Sequence, residues 1–387
     1  MNLIAELLAR SRRIVIKVGS SLLLDAENTV RSTWLSTLAK DAAELHAHGK
    51  QLVIVSSGAI ALGRQTLGWS ARKLELSEKQ AAAACGQIRL MSEWASVFDF
   101  QHHPQLFPAQ ILLTLDDSEN RRRYLNVRNT FDTLLAQSTI IPIVNENDTV
   151  ATEEIRVGDN DRLAARVAQM ISADLLVLLS DVAGLYTENP LTNNGRGSLV
   201  AEVDRVTPVI EAMAGGAGSA IGSGGMRTKI EAAKICLAAG CHMLIAHGRK
   251  LHPLSSLLQG GECTWFKATA NPQSARKHWI SGTLRAKGSY VVDNGAASAL
   301  LNGRSLLPAG VGQVNGKFER GDAVTIETLE GRRLGKGLTE YSSVEAARII
   351  GAQSGEIENI LGFKYRDTLI HRDDLVLENG VGNFEQD

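Results

Sequence analysis

Between residues 12 and about 250, short β-branched runs alternate with longer stretches of helical periodicity, and this alternation constrains the fold more than any other feature of the chain. It is the pattern of βαβ units, which place a parallel sheet between layers of helices. The strand runs fall at residues 13–18, 52–55, within 106–113, and at 140–144, 175–179 and 243–246. Most are continuously apolar, as strands are when both faces of a sheet are covered. Trp34, Leu35, Leu38, Ala42 and Leu45 recur at helical spacing, and Gly49 supplies the stop. Further helices are predicted at 77–97, 119–137, 160–172 and 226–239. The fold class is α/β, an open and mainly parallel sheet sandwiched by helices.

The texture changes near residues 268–276. Beyond them the chain is glycine-rich and strand-like, at Tyr290-Val-Val, Gly312-Gln-Val and residues 323–327, with turns expected at Asp293-Asn294-Gly295 and Asn302-Gly303. We read residues 1–267 as a catalytic domain, 276–350 as a small β-rich domain and 351–387 as a loosely held tail. A chain of 387 residues with 44% hydrophobic content suits two cores.

Forty-one Lys and Arg against forty-two Asp and Glu leave no global field to gather nucleic acid or a membrane surface. Cys85, Cys236, Cys241 and Cys263 form no C-x-x-C pair, which argues against a disulfide framework or structural metal and suits a cytoplasmic setting. The start, MNLIAELLAR, reads as a short amphipathic turn rather than a signal peptide, and no apolar run approaches the ~20 residues of a membrane span.

In open α/β sheets ligands bind outside the carboxyl ends of the strands, and here those ends are small, polar or glycine-rich. The first is Lys17-Val18-Gly19-Ser20-Ser21. A lysine inside an apolar strand is costly unless compensated, and the two readings are a snorkelling lysine on an edge strand or an anion site. Gly19 and the serines favour the anion, because glycine lets it approach backbone N–H groups while the lysine supplies countercharge. The second feature is Gly222-Ser223-Gly224-Gly225-Met226-Arg227-Thr228-Lys229, which opens a helix and offers free N–H groups with a lysine in the first turn.

The acids fall in two clusters, Asn145-Glu146-Asn147-Asp148 and Asp159-Asn160-Asp161. Any one of them could simply cap a helix. Together they exceed what caps require and offer acceptors for an ammonium, for the lysines or for Mg²⁺ through water. The combination specifies phosphoryl transfer from a nucleotide, which is mostly positioning and charge neutralisation. No His accompanies these motifs, and His102-His103-Pro104 reads as a surface loop. An alcohol acceptor would want a general base, whereas a carboxylate with a pKa of about 4.3 is already ionised, so an acyl phosphate product is favoured.

The segments IVIKVGSSLL, VIVSSGAIALG, PIVNENDTV, VGDNDRLAA, LLSDVAGLYTENP and GSGGMRTKIEAAKICLAAG, in this order, resemble the amino acid kinase family, in the branch whose acceptor is the glutamate side chain. The later β module is similar to a PUA domain. The resemblance implies an amino acid kinase-like catalytic domain and ATP-dependent phosphorylation of the γ-carboxylate of L-glutamate. It further implies γ-glutamyl phosphate as the product and a place as the first step of proline biosynthesis.

By that resemblance Lys17 and Lys229 contact the ATP phosphates and act in catalysis, with Asp159 holding the lysines. Gly19, Ser180, Asp181 and the loop of Ser223, Gly224, Gly225, Met226, Arg227 and Thr228 line the ATP site. No role of its own is assigned to Arg227. Ser57, Gly58, Asp148 and Asn160 bind glutamate. The resemblance further implies Mg²⁺ with ATP, a homo-oligomer, and proline as a feedback inhibitor. No protein ligand to a metal is assigned. Alternatives from the same family are aspartate, acetylglutamate or carbamate kinases. An RNA-binding protein with a kinase-like scaffold is the rival of another class. Residues 281–350 hold nine Lys and Arg against seven Asp and Glu, with Tyr290, Phe318 and Tyr341 as the aromatics. That is neither a basic patch nor a stacking platform, and a structural or regulatory role is the better expectation.

Overall fold

The computed structural model describes residues 3–69, 72–98, 106–151, 159–188, 197–215 and 223–378. The chain folds as two compact units, residues 1–119 with 127–272, and residues 120–126 with 273–387.

In the first unit α1 (Leu3–Arg10) precedes β1 (Arg13–Val18), and α2 (Ser20–Leu23) and α3 (Ser32–Ala47) come after it. β2 (Gln51–Ser56) leads into α4 (Ala59–Thr66) and α5 (Leu76–Val97). Then come β3 (Phe107–Leu113), α6 (Leu115–Glu119), α7 (Arg121–Leu135), whose first turn belongs to the second unit, and β4 (Ile140–Glu146). α8 (Asp159–Met170) and β5 (Leu175–Ser180) precede β6 (Glu202–Val203), α9 (Pro208–Met213) and α10 (Ser223–Ala238). β7 (His242–His247), α11 (Pro253–Leu258) and β8 (Cys263–Phe266) complete the unit.

The eight strands lie in the order β3-β4-β2-β1-β5-β7-β8-β6. Every pairing is parallel except β7 with β8. The expected parallel sheet is present, and the antiparallel β8 and two-residue β6 are additions the periodicity did not mark. All six residues of β5 are buried, which is what coverage of both sheet faces demands. β1 is central: Lys17 stands opposite Val55 of β2 and Leu178 of β5, so the edge-strand reading of Lys17 fails. The strand order reverses direction at β1, which places the crevice at the carboxyl ends of β1, β2 and β5.

Two glycines bring α5 down onto this crevice. A Cβ on Gly63 would lie 1.7 Å from the Ala82 carbonyl oxygen, and one on Gly86 would lie 1.8 Å from that of Ala59. No other residue permits this backbone-to-backbone approach of α4 and α5.

Besides residues 120–126, the second unit contains α12 (Pro272–Thr283) from its second residue on, β9 (Ala286–Val292), α13 (Asn294–Leu301), β10 (Val311–Gly316), β11 (Ala323–Thr328), β12 (Arg333–Leu338), α14 (Ser343–Ile349), α15 (Ile357–Leu361) and β13 (Leu375–Leu377). Its strands run β10-β9-β11-β12-β13. Only β9 and β11 pair in parallel. Tyr290 and Phe318 meet edge to face, with centroids 5.6 Å apart, in its core. Two expectations are corrected here. The turn expected at Asp293-Asn294-Gly295 is a helix start: Asp293 accepts the Ala296 N–H at 2.7 Å and caps α13. The stretch after 351 is not loosely held as far as residue 378, since Ile357, Leu361, Leu369, Ile370 and Leu375 are buried in this core.

Among the described residues no helix is long and apolar enough to cross a membrane. His102, His103 and Pro104 lie outside the described residues.

Candidate active site

Lys17, on β1, is buried among apolar neighbours, and its Nζ lies 2.6 Å from Oδ1 of Asp161. Lys229, on the second turn of α10, places its Nζ 3.0 Å from the other oxygen of the same carboxylate, Oδ2. The Thr228 hydroxyl also donates to Oδ2, at 3.0 Å. Asp161 is 1% exposed, so one carboxylate deep in the protein holds two ammonium groups. Burial pushes the Lys17 ammonium below the ordinary lysine range, and Lys229 adds to that, against the pull of Asp161. Burial works to raise the Asp161 carboxyl, but the two lysines outweigh it and hold the group below the usual carboxylate range.

Two lysines sharing one carboxylate carry a net positive charge in a dry setting, which is a built anion receptor. The absence of a side chain at Gly19 completes it. A Cβ there would sit 3.4 Å from Lys17 Nζ, so the approach to the ammonium is open.

A second constellation lies at the ends of β2 and β4 and the start of α8. Asn160 Nδ2 donates to Ser57 Oγ at 2.6 Å and to the Ser56 carbonyl and Asn145 Oδ1 at 3.3 Å each. Asn160 Oδ1 is buried with no hydrogen-bond partner among the described residues. Asp148, in the turn Asp148–Val150, is buried and lines the same cavity. Gly58 caps α4 with φ of +120°, a conformation that favours glycine, and leaves the first N–H groups of that helix without a side-chain cap.

Both constellations open on one cavity of about 1140 Å³. Of the residues expected from the sequence, Lys17, Gly19, Ser57, Gly58, Asp148, Asn160, Ser180, Asp181, Gly225 and Lys229 line it. The Ser180 hydroxyl donates to Asp181 Oδ1 at 3.1 Å. Met226 and Arg227 are not among the lining residues, and Thr228 serves through Asp161. Asp159 and the pair Ser223 and Gly224 begin α8 and α10, and their side-chain positions lie outside what the structure describes. The carboxylate that bridges the lysines is Asp161, two positions beyond the expected Asp159.

Sequence reasoning also missed Arg64, Lys73 and Lys79, which add cations to the cavity wall from α4, α5 and their connection. No strand-end rule points to them, because they come from α4, α5 and the connection between them. A neighbouring cavity of about 620 Å³ shares Asp181 and is lined by Tyr186, His247, Arg249 and Lys250 among others.

The amino acid kinase family model matches residues 12–247 and the PUA domain model residues 288–361. The chain is similar to the glutamate 5-kinase of Paramagnetospirillum magneticum (strain ATCC 700264 / AMB-1), with 56% identity over 372 residues, covering 96% of this chain and 99% of that one. It is similar to the glutamate 5-kinase of Rhodopseudomonas palustris (strain HaA2), at 55% identity over 372 residues, 96% of this chain and 98% of that one. Among solved structures, a carbamate kinase from Giardia lamblia bound to AMP-PNP superposes with a TM-score of 0.47 and 17% identity, covering 67% of this chain and 99% of that one.

Proposed function

We propose a division of labour within the cavity from one premise: the chain belongs to the amino acid kinase family, as one of its glutamate 5-kinases. The activity is ATP-dependent phosphorylation of the glutamate side-chain carboxylate, the first step of proline biosynthesis. The observation that carries our assignment of roles is the pair of buried lysines held by Asp161.

In this reading the two ammonium groups receive the phosphates of ATP, with Gly19 and Gly225 admitting the nucleotide to the backbone beside them. As the γ-carboxylate oxygen of glutamate forms its bond to the γ-phosphorus, the bond from that phosphorus to the β–γ bridging oxygen breaks, and ADP carries away the electron pair. Charge accumulates on the transferring oxygens and the bridge, where Lys17 and Lys229 stabilise it. Asp161 keeps both lysines aimed. The attacking carboxylate needs no general base, since it is already ionised near neutrality.

Glutamate lies at the second constellation. Its α-ammonium faces Asp148 and the free Asn160 Oδ1, and its α-carboxylate faces the N-terminus of α4. Arg64, Lys73 and Lys79 supply further positive charge for a dianionic acceptor. Ser180 and Asp181 stand at the nucleotide side.

Mg²⁺ enters with the nucleotide. Phosphate oxygens and water would carry most of its coordination. Asp181, exposed at the rim, suits that water shell. Bound there, the ion would neutralise charge on the phosphates.

Proline shares the α-carboxylate and the ammonium of glutamate, which supports feedback inhibition at the same constellation. Exposed Ile88 and Leu112 border one cleft beside edge strand β3 and support assembly into a homo-oligomer. The four free thiols suit a cytoplasmic setting. The test of the assignment is Lys17→Ala and Lys229→Ala. Both are expected to keep the fold and lose turnover by roughly 100-fold or more, as other charge-stabilising groups do, and normal turnover in either would defeat it.

A further inference from the structure

Three residues of α5 spaced seven apart reach from one helix face to the strand ends of the site. Gln80 Nε2 donates to the Ala151 carbonyl at 3.0 Å, Asn145 Nδ2 donates to Gln87 Oε1 at 2.8 Å, and Trp94 Nε1 donates to Ser56 Oγ at 3.0 Å. The first holds a backbone carbonyl and the last a hydroxyl. The middle contact does something different, because it fixes the direction of an amide.

An amide side chain has a donor end and an acceptor end, and its neighbours decide which way round it sits. Asn145 is buried, and its Oδ1 receives Asn160 Nδ2 at 3.3 Å. Were Asn145 reversed, its Nδ2 would confront the Nδ2 of Asn160, donor against donor. Reversing Asn160 as well would restore that contact, but it would set Asn160 Oδ1 against the Ser56 carbonyl oxygen, which now accepts from its Nδ2. Gln87 Oε1 adds to this, since in the observed arrangement it accepts from Asn145 Nδ2 and leaves Asn145 Oδ1 toward Asn160.

The consequence reaches the substrate. With its Nδ2 engaged by Ser57, Ser56 and Asn145, Asn160 has Oδ1 left buried and unpartnered beside the cavity. Gln87 Nε2 is likewise buried without a partner among the described residues.

We propose that Gln87 is a positioning residue for glutamate: through Asn145, and together with the Ser56 carbonyl, it holds the Asn160 amide so that an acceptor, not a donor, meets the α-ammonium. This rests on the assignment of Asn160 to glutamate made above. Gly86, beside it, lets α5 approach closely enough for the contact.

The test is a mutant cycle in the intact chain, read as separate kcat and KM values. Gln87→Met, which keeps length and loses the acceptor, is expected to raise KM for glutamate about tenfold, as loss of a charged hydrogen bond does. Its kcat and its KM for ATP should stay within about twofold. Gln87→Glu retains an acceptor oxygen and is expected to have a glutamate KM at least about threefold lower than Gln87→Met. In an Asn160→Ala background, Gln87→Met should have no further effect on kcat/KM, because the two residues act in series. An unchanged KM in Gln87→Met, a loss confined to kcat or to ATP, or independent effects of Gln87→Met and Asn160→Ala would each overturn the proposal and leave the activity standing. Wild-type chain with no glutamate-dependent turnover would overturn both.

Discussion

Lys17 Nζ lies 2.6 Å from Oδ1 of Asp161, and the pair is almost wholly withdrawn from solvent. The second oxygen of that carboxylate is taken by Lys229 and Thr228, so a single side chain sets the distance between the two cations. β1 supplies one lysine, α10 the other, and α8 the carboxylate that joins them.

Asp161→Asn therefore removes the countercharge of two buried ammonium groups at once. We expect kcat to fall by about 100-fold or more and stability by about 3–5 kcal/mol, the usual cost of leaving a buried charge unpaired. The sign of the pH dependence is set by the depressed Asp161 carboxyl. Its contribution is present above the ordinary value of about pH 3.9 and is lost as pH falls through the lower folded value. The stability gap between wild type and Asp161→Asn, measured by urea unfolding, should accordingly close on acidification below about pH 4.

Burial lowers the Lys17 ammonium, so that lysine loses its proton at a lower pH than an ordinary one, about 10.4. Turnover should show an alkaline limb below that value. Lys17→Arg, whose guanidinium does not titrate there, should lose the limb along with part of its kcat. A limb that stays in place in Lys17→Arg assigns it to another group.

Ser57→Ala removes the acceptor that Asn160 Nδ2 meets at 2.6 Å. A neutral hydrogen bond contributes about 1 kcal/mol, so KM for glutamate should rise about fivefold. KM for ATP, measured in the same series, should not move.

Gly86→Ala places a Cβ 1.8 Å from the Ala59 carbonyl oxygen and must push α5 from α4. Overpacking costs about 1–3 kcal/mol. The urea midpoint should drop by a matching amount, and a wild-type midpoint would contradict the close packing.

A chain ended after residue 350 loses Ile357, Leu361, Leu369, Ile370 and Leu375 from the second core. Each buried side chain is worth about 1.5–3 kcal/mol, and a module this small has little to spare. Limited proteolysis should then degrade residues 273–350 while the first unit survives. Equal resistance of the two units would show that the closing strand is dispensable.

The strands that carry the site were legible because a fully buried parallel strand is a continuous apolar run, and a polar residue such as Lys17 stands out against it. Asp161 was in view but not singled out. Its signal was the helical stripe it heads, since Ala164, Ala165 and Ala168 lie three, four and seven positions beyond it and all are buried. Those small residues let α8 pack closely, and a charged group at the head of such a face must find a partner there. The cap at Asp293 was misread because Asp-Asn-Gly suits a turn and a helix start equally, and only the apolar stripe of α13 distinguishes them. Gln87 carried no signal at all. A glutamine in an amphipathic helix reads as surface, and its role depends on a contact 58 positions along the chain.

The central claim is that a carboxylate of glutamate attacks the γ-phosphoryl group between the two lysines. It is tested most directly by incubating the intact protein with ATP, Mg²⁺ and hydroxylamine, with glutamate, aspartate, acetylglutamate or no acid, and measuring hydroxamate beside ADP. We predict hydroxamate with glutamate alone, in step with ADP, and neither product above background in Asp161→Asn. ADP without hydroxamate, or hydroxamate formed equally well from another acid, would contradict the account.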